Sequence, residues 1–103
     1  MNTRLLISIS GLLLIYGCSK SADELFEISN ENLKNDETDK AITGYEKLLY
    51  KYPEDTLASQ VQYKLATLHL NWKNDLPAGY SALEATVSNY GGTIHATQAQ
   101  KEI

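Results

Sequence analysis

An internal repeat constrains this chain more than any other feature of its sequence. Residues 41–53 and 79–91 correspond at an offset of 38, which places Tyr45 on Leu83, Glu46 on Glu84, Leu49 on Val87 and Tyr52 on Tyr90. The same offset carries Ala58 to Ala96 and Gln60 to Gln98, and relates Tyr63 to Leu25 and Ala66 to Ile28. A unit of this length that recurs must bury its apolar side chains against its neighbours, because one unit alone has no closed core.

Each unit reads as two helices. Ser21 and Glu24 have capping-box spacing, in which the serine accepts from a first-turn amide and the glutamate reaches back. The helix that follows runs to about Asn35 and is expected to bury Leu25, Phe26, Ile28 and Leu33. A polar turn, Asn35 to Thr38, leads to a second helix from about Asp39 to Tyr52. Its Ala41, Ile42, Tyr45, Leu48, Leu49 and Tyr52 form one apolar stripe. Pro53 ends it, since proline lacks an amide donor and disfavours helix in the residue before it.

The third helix is expected from about Leu57 to Lys73 with two stripes. One holds Ala58, Val61, Leu65, Leu68 and Trp72, the other Tyr63, Ala66 and Leu70. Two stripes imply a helix packed on two sides. Asp75 is the expected cap of the fourth helix, with Pro77 in its first turn. That helix is expected to bury Tyr80, Leu83, Val87 and Tyr90 and to stop at Gly91–Gly92. Thr93 starts a fifth helix through Ile103, with Ile94, Ala96, Ala99 and Ile103 to bury.

Residues 1–19 follow a different logic. Arg4 precedes an apolar run of about 12 residues, Leu5 to Tyr16, where a membrane-crossing helix needs roughly 20. A small residue, Gly17, and the single cysteine, Cys18, close the run. This is the pattern of a secretory signal, the alternative being an uncleaved anchor helix. Ile15–Tyr16–Gly17–Cys18 resembles the lipobox of bacterial lipoproteins, with Tyr16 departing from the small or branched residue usual there. The resemblance implies cleavage after Gly17 and a diacylglyceryl group on Cys18, with several acyl chains giving stable anchoring. Ser19 follows the cysteine, which by the sorting rule of enteric bacteria implies the outer membrane, facing the periplasm. The expected organisation is therefore 1–17 signal peptide, 18–21 acylated N-terminus and tether, and 22–103 helical repeat domain. Its units are about 22–55 and 57–92, with 93–103 a partial cap or third unit. A full signal puts any missing repeats at the C-terminus.

The repeat pattern resembles the tetratricopeptide repeat (TPR). Ala41 and Gly79 hold the small position early in the second helix, Tyr45 and Leu83 the large one four residues on, and Pro53 the closing proline, which Gly91 replaces. In the first helices Leu25 and Tyr63 take the large early position, and Ser29 and Thr67 the small later one. The tyrosine usual near the end of the first helix is lost, with Asn32 and Leu70 there. The long spacing and the segment from Tyr45 to Pro53 are similar to two periplasmic branches. One is the BamD lipoproteins of outer-membrane protein assembly, the other the TolA-binding cell-division coordinators. The resemblance covers about residues 22–98. It implies an all-α fold, TPR-like helical hairpins stacked as a short right-handed solenoid. The alternative is an unrelated bundle of amphipathic helices.

Composition limits the function. The net charge is −4, and Arg4 lies in the signal, so the mature part is more acidic still. Without a basic track, nucleic-acid binding is not expected. Acidic residues crowd Asp23 to Asp39 around a single base, Lys34, which reads as a solvated helix face or a docking surface for a basic partner. His69 and His95 lie on different helices and do not have metal-ligand spacing. No nucleophile motif or phosphate loop is present, and Glu46 and Glu84 are explained by the repeat, so neither an enzyme nor a cofactor is expected. The family geometry implies a protein-binding groove with Asn32, Lys64, Asn71 and Trp72 as candidates. Trp72 also closes an apolar stripe, so core packing competes with a role as exposed anchor. The expected function is a membrane-anchored scaffold for an envelope protein or peptide, in outer-membrane protein assembly. The alternatives are a coordinator of the TolA-binding type and a truncated fragment of a longer TPR protein.

Overall fold

Ser21 opens the first helix as its spacing predicts. Its hydroxyl accepts from the Glu24 amide at 3.1 Å, and its own amide donates to the Glu24 carboxylate at 2.9 Å. The structure, a computed structural model, describes residues 20–103, so the signal and Cys18 lie outside the described residues. The helices are α1 (Ala22–Lys34), α2 (Thr38–Lys51), α3 (Ala58–Asn71), α4 (Leu76–Asn89) and α5 (Ile94–Glu102). No strand occurs among the described residues, and the fold there is all-α. Each helix packs on the next in chain order, and α3 also touches α5.

The turns repeat with the helices. Asp36 and Asn74, 38 residues apart, both take a positive φ, 62° and 53°. Short polar side chains tolerate this left-handed conformation better than most. Helices α2 and α4 are each 14 residues long and start at equivalent positions. Asp75 caps α4 by accepting from the Ala78 amide at 3.1 Å, and Pro77 sits in the first turn. Thr93 caps α5 through the Ala96 amide, also at 3.1 Å.

Two apolar clusters make the core. The larger gathers Leu25 from α1, Ile42, Tyr45 and Leu48 from α2, and Val61, Leu65 and Leu68 from α3. The smaller joins Ala66 of α3 to Leu83 and Ala99, with Tyr63, Leu70 and Val87 packed around them. Helix α3 thus serves both clusters, one with each of its stripes.

Several expected core residues are exposed instead. Ile28 points away from α3: at 100° per residue it lies opposite Asn30 and Leu33, which face Lys64 of α3. Its place in the core of α1 is taken by Ser29. Trp72 is 63% exposed, because it is the residue that caps α3 at the hairpin tip, one position past the last helical turn. Tyr80, Ile94 and Ile103 are also exposed. Helix α5 has 9 described residues where α3 has 14, and it buries Ala96 and Ala99.

Candidate partner-binding surface

The four groove candidates fall in three places. Asn32, near the end of α1, lines a cleft of about 440 Å³ between α1 and α2. Lys64, on α3, lines a separate depression with Asn30, Leu33 and Lys34. Asn71 and Trp72 end α3 at the tip of its hairpin and are exposed. Asn32 and Lys64 therefore line different depressions, and Trp72 lines neither of these two.

The cleft that Asn32 lines has features the sequence reading missed. Ser29 of α1 and Gly44 of α2 both line it and lie close together. A Cβ built on Gly44 would lie 2.1 Å from the Ser29 hydroxyl, so a larger residue there would have to displace that side chain or part the helices. The Ser29 hydroxyl is buried and has no hydrogen-bond partner among the described residues. Lys20, Lys40 and Lys47 stand around the rim with Thr43. Lys40 also pairs with Glu37 at 3.4 Å. In the second unit the positions of Lys40, Thr43, Gly44 and Lys47 are held by Ala78, Ser81, Ala82 and Ala85. Those four line a depression closed from the other side by Glu46 and Leu49 of α2. The first unit thus presents lysines to solvent where the second presents alanines to a neighbouring helix. Comparing the two units position by position would have found this signal.

The tyrosines act as cross-braces. Tyr45 donates to Asn30, and burial raises its pKa. The Tyr52 hydroxyl donates to the Lys20 carbonyl, and the Tyr90 hydroxyl to the Pro53 carbonyl at 2.8 Å. Burial, then the nearby Glu54 carboxylate, raises the Tyr90 pKa. Tyr63 donates to Glu102 of α5, and this bond, with some burial and the carboxylate charge, pushes its pKa up to about 12. His95 is held by the Ser59 hydroxyl at 3.0 Å and lies beside the Tyr63 ring. Lys73 ties the two hairpin tips together by a 2.6 Å bond to Asp39.

Among the described residues, no cluster of His, Cys, Asp or Glu is placed to hold a metal ion, and no helix is long and apolar enough to cross a membrane. Comparison of the chain with known protein families, characterised proteins and solved structures gave no match.

Proposed function

We propose that the chain is a lipid-anchored scaffold of the TPR type, its two helical hairpins stacked as a short right-handed solenoid that binds an envelope protein. The observation that carries this reading is the way burial repeats with the sequence. Ala41, Tyr45 and Leu48 are buried in α2, and Gly79, Leu83 and Thr86, each 38 residues on, are buried in α4. The left-handed turn residues and the capping tyrosines, Tyr52 and Tyr90, recur at the same offset. Such stacks present side chains from successive helices to a partner. Lipidation at Cys18 would hold this one at the outer membrane, facing the periplasm. The scaffold neither catalyses a reaction nor needs a cofactor.

The test is crosslinking in intact cells. A photoreactive residue replaces Lys64, Asn71 or Trp72, one at a time, and the attached protein is identified. A component of β-barrel assembly supports the first reading, and a Tol-system protein supports the coordinator. The binding reading fails when no position yields a discrete adduct, or when Asn71→Ala with Trp72→Ala leaves partner capture unchanged.

A further inference from the structure

Lysines gather at one place in the first unit where the repeat does not call for them. Lys20, Lys40 and Lys47 line the cleft between α1 and α2, and the counterparts of Lys40 and Lys47 in α4 are Ala78 and Ala85. Lys40 is engaged by Glu37, and Asp39, the carboxylate lining the cleft, is held by Lys73. Lys20 and Lys47 form no ion pair among the described residues. Ser29 lines the same cleft, fully buried, and its hydroxyl has no partner among the described residues. A buried hydroxyl left without an acceptor is costly, and an anion seated in the cleft would supply one.

The surroundings narrow the anion. The single arginine, Arg4, lies outside the described residues, so the positive charge of the cleft is all lysine. Compact ammonium groups hold phosphate as point charges, whereas the fork of arginine is the usual match for a planar carboxylate. Ile28, 45% exposed, lines the cleft and also a neighbouring depression of about 360 Å³ that shares Lys20 with it. That second depression is acidic. Asp23 and Glu27, one turn apart on α1, line it and form no ion pair among the described residues, while Glu24 beside them accepts from the Ser21 amide. Positive charge, an apolar side chain and negative charge thus lie side by side. A ligand that is only anionic would meet two carboxylates, whereas a phosphate joined by a short linker to an ammonium would satisfy both signs. Lys20, common to both depressions, lies two residues after Cys18, and its carbonyl accepts from the Tyr52 hydroxyl.

We propose that the cleft and the depression beside it together bind the headgroup of an ethanolamine phospholipid in the leaflet that holds the anchor. Lys20, Lys47 and the hydroxyls of Ser29 and Thr43 take the phosphate, Asp23 and Glu27 take the ammonium, and Ile28 lies against the apolar part of the lipid. The proposal rests on the lipid-anchor reading given above. An ethanolamine ammonium has N–H groups to donate to the carboxylates, and the quaternary ammonium of choline has none.

The full processed chain is placed in nanodiscs of phosphatidylcholine alone, with added phosphatidylethanolamine, or with added phosphatidylglycerol. An amine-reactive reagent in excess labels the lysines, and mass spectrometry reads Lys20 and Lys47 against Lys34 and Lys64, which line a different depression. The ethanolamine lipid is expected to slow labelling of Lys20 and Lys47 more than either other composition. Lys47→Gln, folded by circular dichroism, is expected to lose most of the Lys20 protection, since one charge-assisted contact is worth about tenfold in affinity. Glu27→Gln is expected to remove the preference for ethanolamine over choline, and Lys101→Gln to change neither. Equal labelling in the three compositions, stronger protection by phosphatidylglycerol, or an unchanged response in Lys47→Gln and Glu27→Gln overturns the proposal. So does equal protection by inorganic phosphate added to phosphatidylcholine discs, since free phosphate is then the ligand. Intact mass reads acylation of Cys18 separately. An acylated chain without ethanolamine-dependent protection sinks the headgroup site alone, and an unacylated chain sinks the anchor reading and the site with it.

Discussion

Gly44→Ala is expected to destabilise the domain, although alanine is the better helix former. Gly44 sits in the interior of α2, where replacing glycine by alanine contributes about 1 kcal/mol in favour of the helix. Against this, the new methyl would lie 2.1 Å from the Ser29 hydroxyl and 3.3 Å from its Cβ, the first more than an ångström inside ordinary contact. Overpacking of this kind costs about 1–3 kcal/mol. The net expectation is a loss of about 1 kcal/mol, or roughly 4–8 °C in Tm for a domain of this size. Ser29→Ala works in the opposite direction. It removes a buried hydroxyl without a partner, whose desolvation costs about 1–3 kcal/mol, and so is expected to stabilise. It also removes the closer of the two clashes. Gly44→Ala made on Ser29→Ala should therefore be close to neutral, giving a coupling of about 1–2 kcal/mol in a double-mutant cycle. Urea denaturation of the four variants, followed by circular dichroism, measures each midpoint. Additive effects, or a stabilising Gly44→Ala in the parent chain, would refute the close approach of α1 to α2.

Thr93→Ala removes the side-chain cap of the shortest helix and should cost about 1 kcal/mol. Hydrogen exchange should show faster exchange in α5 while α2 is unchanged, and uniform loss across all helices would contradict a local cap. Tyr45, Tyr63 and Tyr90 all have pKa values raised above the ordinary tyrosine value, so the folded state holds these protons more tightly than the unfolded chain. Their contribution is complete below about pH 10 and is lost as pH rises toward 12. Urea midpoints should fall over that window, less so in Tyr63→Phe, and a midpoint that rises there would reverse the sign of the argument. Cys18→Ser should leave unprocessed precursor that takes up no palmitate analogue, and equal labelling of parent and variant would defeat lipidation at this residue.

Three of the helix starts were legible because their causes are local. Ser21 with Glu24 and Asp75 with Pro77 cap the helices they were expected to cap, and Thr93, expected to start the fifth helix, caps it, each acting within three residues. The two-sided character of α3 was legible from its two stripes. Burial at the ends of stripes was not. A stripe tells which face is apolar, but whether Trp72, Tyr80 or Ile103 is covered depends on how far a neighbouring helix extends. The Ser29–Gly44 contact joins residues on two helices, and neither residue type announces it. The groove candidates came from family geometry, which does not say that Asn32 and Lys64 line different depressions.

With lipid on Cys18, the Tyr52–Lys20 bond would set a stand-off distance. It fastens the backbone to the end of α2 at Lys20, two residues after the cysteine proposed to carry lipid. Two extended residues span at most about 7 Å, less than the Debye length of about 8 Å at physiological ionic strength. On a lipidated Cys18, a leash that short would not let the domain swing free of the headgroups. The acidic side chains that open α1, Asp23, Glu24 and Glu27, would sit inside the lipid's electrostatic range, and the charge of the leaflet would help set the tilt of the helices. Reach into the periplasm would come from the array itself, about 21 Å along each 14-residue helix. A partner anchored in the same membrane would then find the scaffold by searching a plane instead of a volume.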